Sequence, residues 1–199
     1  MKNLATALFA LLFTFSASQA QETQETPATV EPGGVEQSIG NAQAGLFGAW
    51  VSYEGRLSNT LAIRAEGGLD AGFYYTYLTK ETVFMAGPSI NLEPRWYYNI
   101  KKRAAKGRNT ANNSANFIGL SVKYLPDWFT LSNDKFYNIA DQVLIVPKWS
   151  IRRHIGSSNF NYEAGIGIGY QYVFLKQYGY LENASEAYMD LHVRVGYTF

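Results

Sequence analysis

The feature that most limits what this chain can become is a two-residue alternation of apolar and polar side chains. It runs from the 11 residues of Phe47–Leu57 to the 15 of Phe160–Phe174. In the longest segment one parity is Phe160, Tyr162, Ala164, Ile166, Ile168, Tyr170, Tyr172 and Phe174, and the other is Asn161, Glu163, Gly165, Gly167, Gly169, Gln171 and Val173. A period of two is the signature of an extended strand with unlike faces. The apolar face here is graded, with aromatics at both ends and aliphatics between, as in a strand that crosses a bilayer.

The same pattern recurs along the chain. Leu61, Ile63, Ala65, Leu69, Ala71 and Phe73 oppose Ala62, Arg64, Glu66, Gly68, Asp70 and Gly72. Phe47, Ala49, Val51, Tyr53 and Leu57 oppose Gly48, Trp50, Ser52, Glu54 and Arg56, and Ser58-Asn59-Thr60 between these two segments reads as a tight turn. In Phe84–Tyr98 the prolines Pro88 and Pro94 fall on the apolar parity, where they interrupt regular pairing. Seven strands follow, at about 45–57, 60–73, 83–98, 116–125, 142–155, 160–174 and 187–199.

A water-soluble sandwich or lipocalin-like barrel also alternates, but its polar parity faces water and is rich in Lys, Asp and Glu. Here that parity is repeatedly glycine, at Gly48, Gly68, Gly119, Gly165, Gly167 and Gly169, which suits a narrow, crowded interior. The segments also exceed the usual ~5–6 residues of a globular strand. They match the ~9–11 tilted residues needed to cross a bilayer, with a protruding rim.

The N-terminus adds an address. Residues 1–20 carry Lys2, an apolar stretch from Leu4 to Phe15, and Ser18 and Ala20 in a small-x-small pattern, which reads as a cleaved secretory signal. Residues 21–40, with four Glu, two Pro and no basic side chain, read as a flexible acidic tail. Losing Lys2 from the 17 Lys and Arg leaves 16 basic against 16 acidic side chains, so no global charge draws the chain to nucleic acid. Cysteine is absent, which excludes disulfide frameworks, thiolate metal sites and cysteine nucleophiles.

At the other end Leu191, Val193, Val195, Tyr197 and Phe199 hold the apolar parity, with Gly196 among them. This ending resembles the C-terminal signature of bacterial outer-membrane β-barrel proteins: a terminal aromatic, alternate apolar residues before it and a nearby Gly. The resemblance covers about residues 45–199 and is closest in size to small OmpA- and OmpX-like barrels. It implies an all-β, antiparallel up-and-down transmembrane barrel over 41–199, in the outer membrane of a two-membrane bacterium. It also implies two partners, the outer-membrane lipids and the assembly machinery that reads the last strand. Such barrels have even strand numbers, so eight strands are expected, with the weak stretch 35–43 as the eighth.

Sidedness follows: 74–82, 126–141 and 174–187 are expected as external loops. The 58–60 turn, the 99–115 connection and the 156–159 turn are expected on the periplasmic side. The 99–115 connection carries Lys101, Lys102, Arg103, Lys106 and Arg108, either as a solvated loop or as a contact for anionic headgroups.

Projected inward, the polar parities assemble Glu54, Arg56, Arg64, Glu66, Glu93, Arg95, Lys148, Arg152, Glu163 and Arg194 as an ion-pair network, with Asp70, Lys123 and Asp190 beside it. Nearly balanced long side chains in a bore of about eight strands interlock rather than leave a channel. The expectation is a plugged, non-catalytic barrel with a structural or surface-interacting role and no cofactor or metal. Three alternatives stand beside it. One is a lipid-modifying enzyme, drawing on Ser150 or Ser157, His154 or His192, and Glu163 or Asp190. Another is a narrow porin. The third is a surface binder using Trp128, Phe129, Phe136, Tyr137, Tyr178 and Tyr180.

Overall fold

The structure, a computed structural model, describes residues 33–199 apart from 77–79 and 135–136. The expected leader 1–20, the tail as far as residue 32, and Phe136 lie outside the described residues. The fold is all-β and antiparallel. Its strands are β1 (Ser38–Gly45), β2 (Gly48–Arg56), β3 (Leu61–Thr76), β4 (Glu81–Trp96), β5 (Asn116–Leu125), β6 (Leu131–Ser132), β7 (Gln142–His154), β8 (Phe160–Val173) and β9 (Ala184–Thr198). One helix, α1 (Ile100–Ala105), and a 3-10 turn at Ala111–Asn113 lie between β4 and β5.

The eight long strands pair in chain order from β1 to β9. The ring closes where β1 meets β9, from Asn41↔Thr198 to Gly45↔Arg194. The two-residue β6, inside what the sequence presents as a loop, pairs with β4 at Met85 and Ala86. Ala86 is buried despite its outward parity.

The strand β1 overlaps the expected eighth strand at 35–43 and begins within the stretch read as tail. Its outward residues Gly40, Ala42 and Ala44 are too small to show an apolar face. The Phe199 ring supplies one, lying 2.6 Å from where a Cβ on Gly40 would sit. The prolines act through their missing N–H. The β4–β5 ladder lapses between Leu92↔Val122 and Arg95↔Gly119, around Pro94. The β7–β8 ladder lapses between Ile145↔Tyr170 and Lys148↔Gly167, around Pro147.

Burial runs opposite to that of a sheet packed for water. Val51, Ile168 and Leu191 are 62%, 69% and 65% exposed, while Arg64 and Glu163 are 0% exposed. The polar parity therefore fills the ring and the apolar parity clothes it. Among the described residues, no helix is long and apolar enough to cross a membrane.

The turn at Leu46–Phe47 shares one end of the ring with Lys80 and with the described residues 126–134, 137–141 and 174–183. The first residues of β1, the β2–β3 and β7–β8 turns and the 97–115 connection share the other. That second end is sealed by Val35, Ala62, Tyr97, Ile100, Ala115 and Phe117, all at most 1% exposed. Residues 33–36 are part of this seal. Val35 N–H donates to the Asn59 carbonyl at 3.0 Å, and Glu36 N–H to Asn113 Oδ1 at 2.8 Å.

Candidate functional site

Strand register creates the interior cluster. Cross-strand neighbours on one face lie within side-chain reach, and the sequence sets opposite charges in register. Glu54 of β2 faces Arg64 of β3, which faces Glu93 of β4. On the far wall Arg152 of β7 faces Glu163 of β8, which faces Arg194 of β9. Glycine makes room for the long side chains, since a Cβ on Gly119 would meet Glu93 Oε1 at 2.8 Å.

Glu163 is the hub. It accepts from Arg95 Nη2 at 3.0 Å and Arg64 Nη1 at 3.3 Å, and lies 3.3 Å from Arg152 Nε. Arg95 also reaches Glu93 at 2.8 Å and Glu54 at 3.3 Å, and its guanidinium carbon stacks 4.3 Å over the Phe117 ring. Glu66 takes Arg64 at 2.6 Å and Arg194 at 2.8 Å, while Lys148 pairs with Glu93 at 2.7 Å. The Tyr97 hydroxyl and Asn113 Nδ2 donate to Glu54 at 2.7 and 2.6 Å, which joins the network to the sealed end.

The structure brings together nine of the ten residues grouped from the sequence. Arg56 is the exception: it lies at the end of β2 and donates to the Val35 carbonyl at 3.3 Å. Sequence parity could not separate it from the others, because its partner is a backbone group of a segment read as tail. Tyr97 and Gln43, which donate and accept within the cluster, escaped that grouping because neither is charged.

Above the network, toward the loop-bearing end, lies a cavity of about 620 Å³ lined by Trp50, Asp70, Lys123, Tyr188, Asp190 and His192 among others. Asp70 and Lys123 pair there. At its base sits an arrangement the sequence left unresolved among several Ser, His and acid candidates. Ser150 is in register with Gly165, and Gly165 with His192. With no side chain on Gly165, Ser150 Oγ and His192 Nε2 approach the same empty point. His192 Nδ1 bonds Asp190 Oδ1 at 2.5 Å. Among the described residues, neither Ser150 Oγ nor His192 Nε2 has a hydrogen-bond partner. The order acid, imidazole, hydroxyl is that of an activated nucleophile. Two features oppose it. Ser150 is 0% exposed, beneath the cavity rather than in its lining, and His192 Nε2 has a second carboxylate, Glu163 Oε1, at 3.9 Å. His154 stands apart near the end of β7, its Nδ1 3.1 Å from the Gly156 carbonyl. Among the described residues no three His, Asp or Glu side chains converge as a metal ion would require.

At the loop-bearing end, Tyr178 ties two loops together. Its hydroxyl donates to Asp127 Oδ2 at 2.6 Å and accepts from Asp141 N–H at 3.1 Å. Trp128, Phe129, Tyr178 and Tyr180 are exposed there. Comparison with family models, curated proteins and solved structures finds no match for this chain.

Proposed function

We propose that this chain is an integral outer-membrane β-barrel whose interior is plugged by ion pairs, with a structural or surface-interacting rather than catalytic role. The observation that carries the reading is the inverted burial: charged side chains fill the ring while Val51, Ile168, Leu191 and Val193 point outward. Exposed apolar surface of that extent is unfavourable in water and favourable against lipid tails. Aromatics flank the band at both ends, with Trp96, Tyr98, Trp149 and Tyr197 toward the sealed end and Phe47, Phe73 and Phe84 toward the other. Such belts suit the two headgroup regions. The leader-like residues 1–20 and the β9 pattern ending at Phe199 support export and insertion by the machinery that reads such strands.

Mature protein folded in detergent is expected to migrate faster in electrophoresis unheated than boiled, and to show no sustained large conductance in planar bilayers. Solubility as a compact monomer without amphiphile overturns the membrane reading. Steady large conductance overturns the plug and favours a porin.

The Asp190–His192–Ser150 arrangement favours a second reading, a lipid-modifying enzyme. Under the non-catalytic reading, lipid A and phospholipid masses from cells making the wild type and Ser150→Ala are expected to be identical. An acyl-chain mass difference abolished by Ser150→Ala reverses the assignment.

A further inference from the structure

The interior network leaves the basic residues 101–108 without a role, and the structure gives several of them a common address. A cleft of about 550 Å³ lies between α1 and the ring's outer surface, and Lys102, Arg103, Lys106, Arg108 and Arg153 line it with Tyr98, Asn99 and Asn116. None of the lining residues is acidic. Five cations sharing one concavity repel each other unless an anion joins them. Burial, and after it the neighbouring Arg108 charge, hold the Arg103 guanidinium below its ordinary pKa.

The hydrogen bonds leave donors free. Arg103 spends Nη2 on the Asn109 carbonyl at 3.0 Å, while its Nε is buried without a partner among the described residues. Arg153 bonds Asn116 Oδ1 at 2.5 Å and the Arg152 carbonyl at 2.7 Å, which fixes its guanidinium at the cleft wall. Among the described residues, no hydrogen bond or ion pair is made by the exposed side chains of Lys102 and Arg108.

Position then selects among anions. Arg153 belongs to the outward parity of β7, between Ile151 and Ile155, where every other residue from Val143 onward is apolar. Beside it lies the aromatic belt: Tyr98 Oη accepts from Trp149 Nε1 at 2.9 Å, and the Trp96 ring stands 6.0 Å from Tyr98, edge to face. The cleft thus opens where the apolar band ends and polar surface begins. A free anion gains nothing from that border. A lipid can lay its acyl chains along Trp149 and Ile118 and bring its phosphate to the guanidinium forks, whose planar geometry matches phosphate oxygens.

We infer that this cleft is a binding site for the phosphate headgroup of an anionic phospholipid in the leaflet at the sealed end of the ring. The inference rests on the membrane reading proposed above, and the experiment separates the two. The full mature protein is reconstituted into vesicles of equimolar phosphatidylglycerol and phosphatidylcholine, extracted, and its retained lipids counted by native mass spectrometry. The expected result is retention of phosphatidylglycerol at least tenfold over phosphatidylcholine. That preference should fall about fivefold for each cation neutralised in Lys102→Gln and Arg108→Gln. It should be unchanged in Lys80→Gln and Lys176→Gln at the opposite end, and unmoved by 20 mM inorganic phosphate at constant ionic strength.

The two variants alter exposed, unbonded side chains, so their folding is checked by the same heat-dependent mobility as the wild type. Insertion without lipid preference overturns the site and leaves the membrane reading standing. Equal loss in the Lys80 and Lys176 variants, or displacement by inorganic phosphate, also overturns it, pointing to bulk charge or a free anion. Failure to insert into any vesicle removes both proposals.

Discussion

Replacing Glu163 with Gln is expected to lower the unfolding free energy of the detergent-folded protein by about 3–5 kcal/mol, read from the denaturant midpoint and slope. The substitution keeps side-chain volume and removes one charge. Arg64, Arg95 and Arg152 lose the carboxylate that lies within 3.3 Å of each, and all three guanidiniums remain buried. Glu54 and Glu93 still serve Arg95, and Glu66 still serves Arg64, so collapse of the whole network is not expected. Adding Arg64→Gln should return part of the loss, and the double-mutant cycle should give a coupling of about 0.5–3 kcal/mol. The magnitude carries the functional point. A solvated ion pair contributes about 0–1 kcal/mol because water replaces what the partner supplied. An effect of that smaller size would mean that water reaches Glu163 from the bore, and the plug would have to be abandoned for a channel.

The strands were legible wherever both faces carried a signal. Phe160–Val173 could be read residue by residue because Ile166 and Ile168 have no competing reason to alternate with Gly165, Gly167 and Gly169. Ser38–Gly45 was nearly illegible because its outward positions are glycine and alanine, and Phe199, far away in sequence, covers one of them. The strand exists because β2 and β9 each offer it a ladder, and that is a property of the closed ring rather than of eight residues. Parity also sorted most interior charges, since the same alternation that turns Leu92 outward turns Glu93 inward. It does not tell depth along the ring, so it cannot separate Arg56, which ends β2 and meets the Val35 carbonyl, from the charges of the network. The Ser150–Gly165–His192 juxtaposition was illegible for a related reason: it spans three strands and depends on their register, which periodicity alone does not supply. Arg153 had a readable trace, a cation on an otherwise apolar parity, but its meaning emerged only once α1 was seen to face it across a cleft.

Placing a charge on the outside of the ring is expected to cost an amount set by its height on the wall. Ile166 lies near the middle of β8, flanked in register by Trp149 and Leu191, and its side chain points outward. Under the membrane reading Ile166→Arg puts a guanidinium at mid-bilayer depth, at a cost of about 2–4 kcal/mol. Phe160→Arg makes a comparable change at the sealed end of the same strand, where Phe160 packs edge-on against Tyr197 with ring centroids 5.2 Å apart. There the headgroups accept the charge, and the expected cost is about 0–1 kcal/mol plus the loss of the ring contact. Both are measured as unfolding in urea from short-chain phosphatidylcholine vesicles. A protein surrounded by water has no such gradient, because exposed substitutions away from special features change stability by about 0.5 kcal/mol or less. The difference between the two sites is therefore the decisive quantity. A gap of 1 kcal/mol or more, with the central site the costlier, fits lipid around the wall. Equal small effects at both would mean that the outward apolar face meets some other partner, and the account of the buried charges as a membrane-spanning plug would lose its setting.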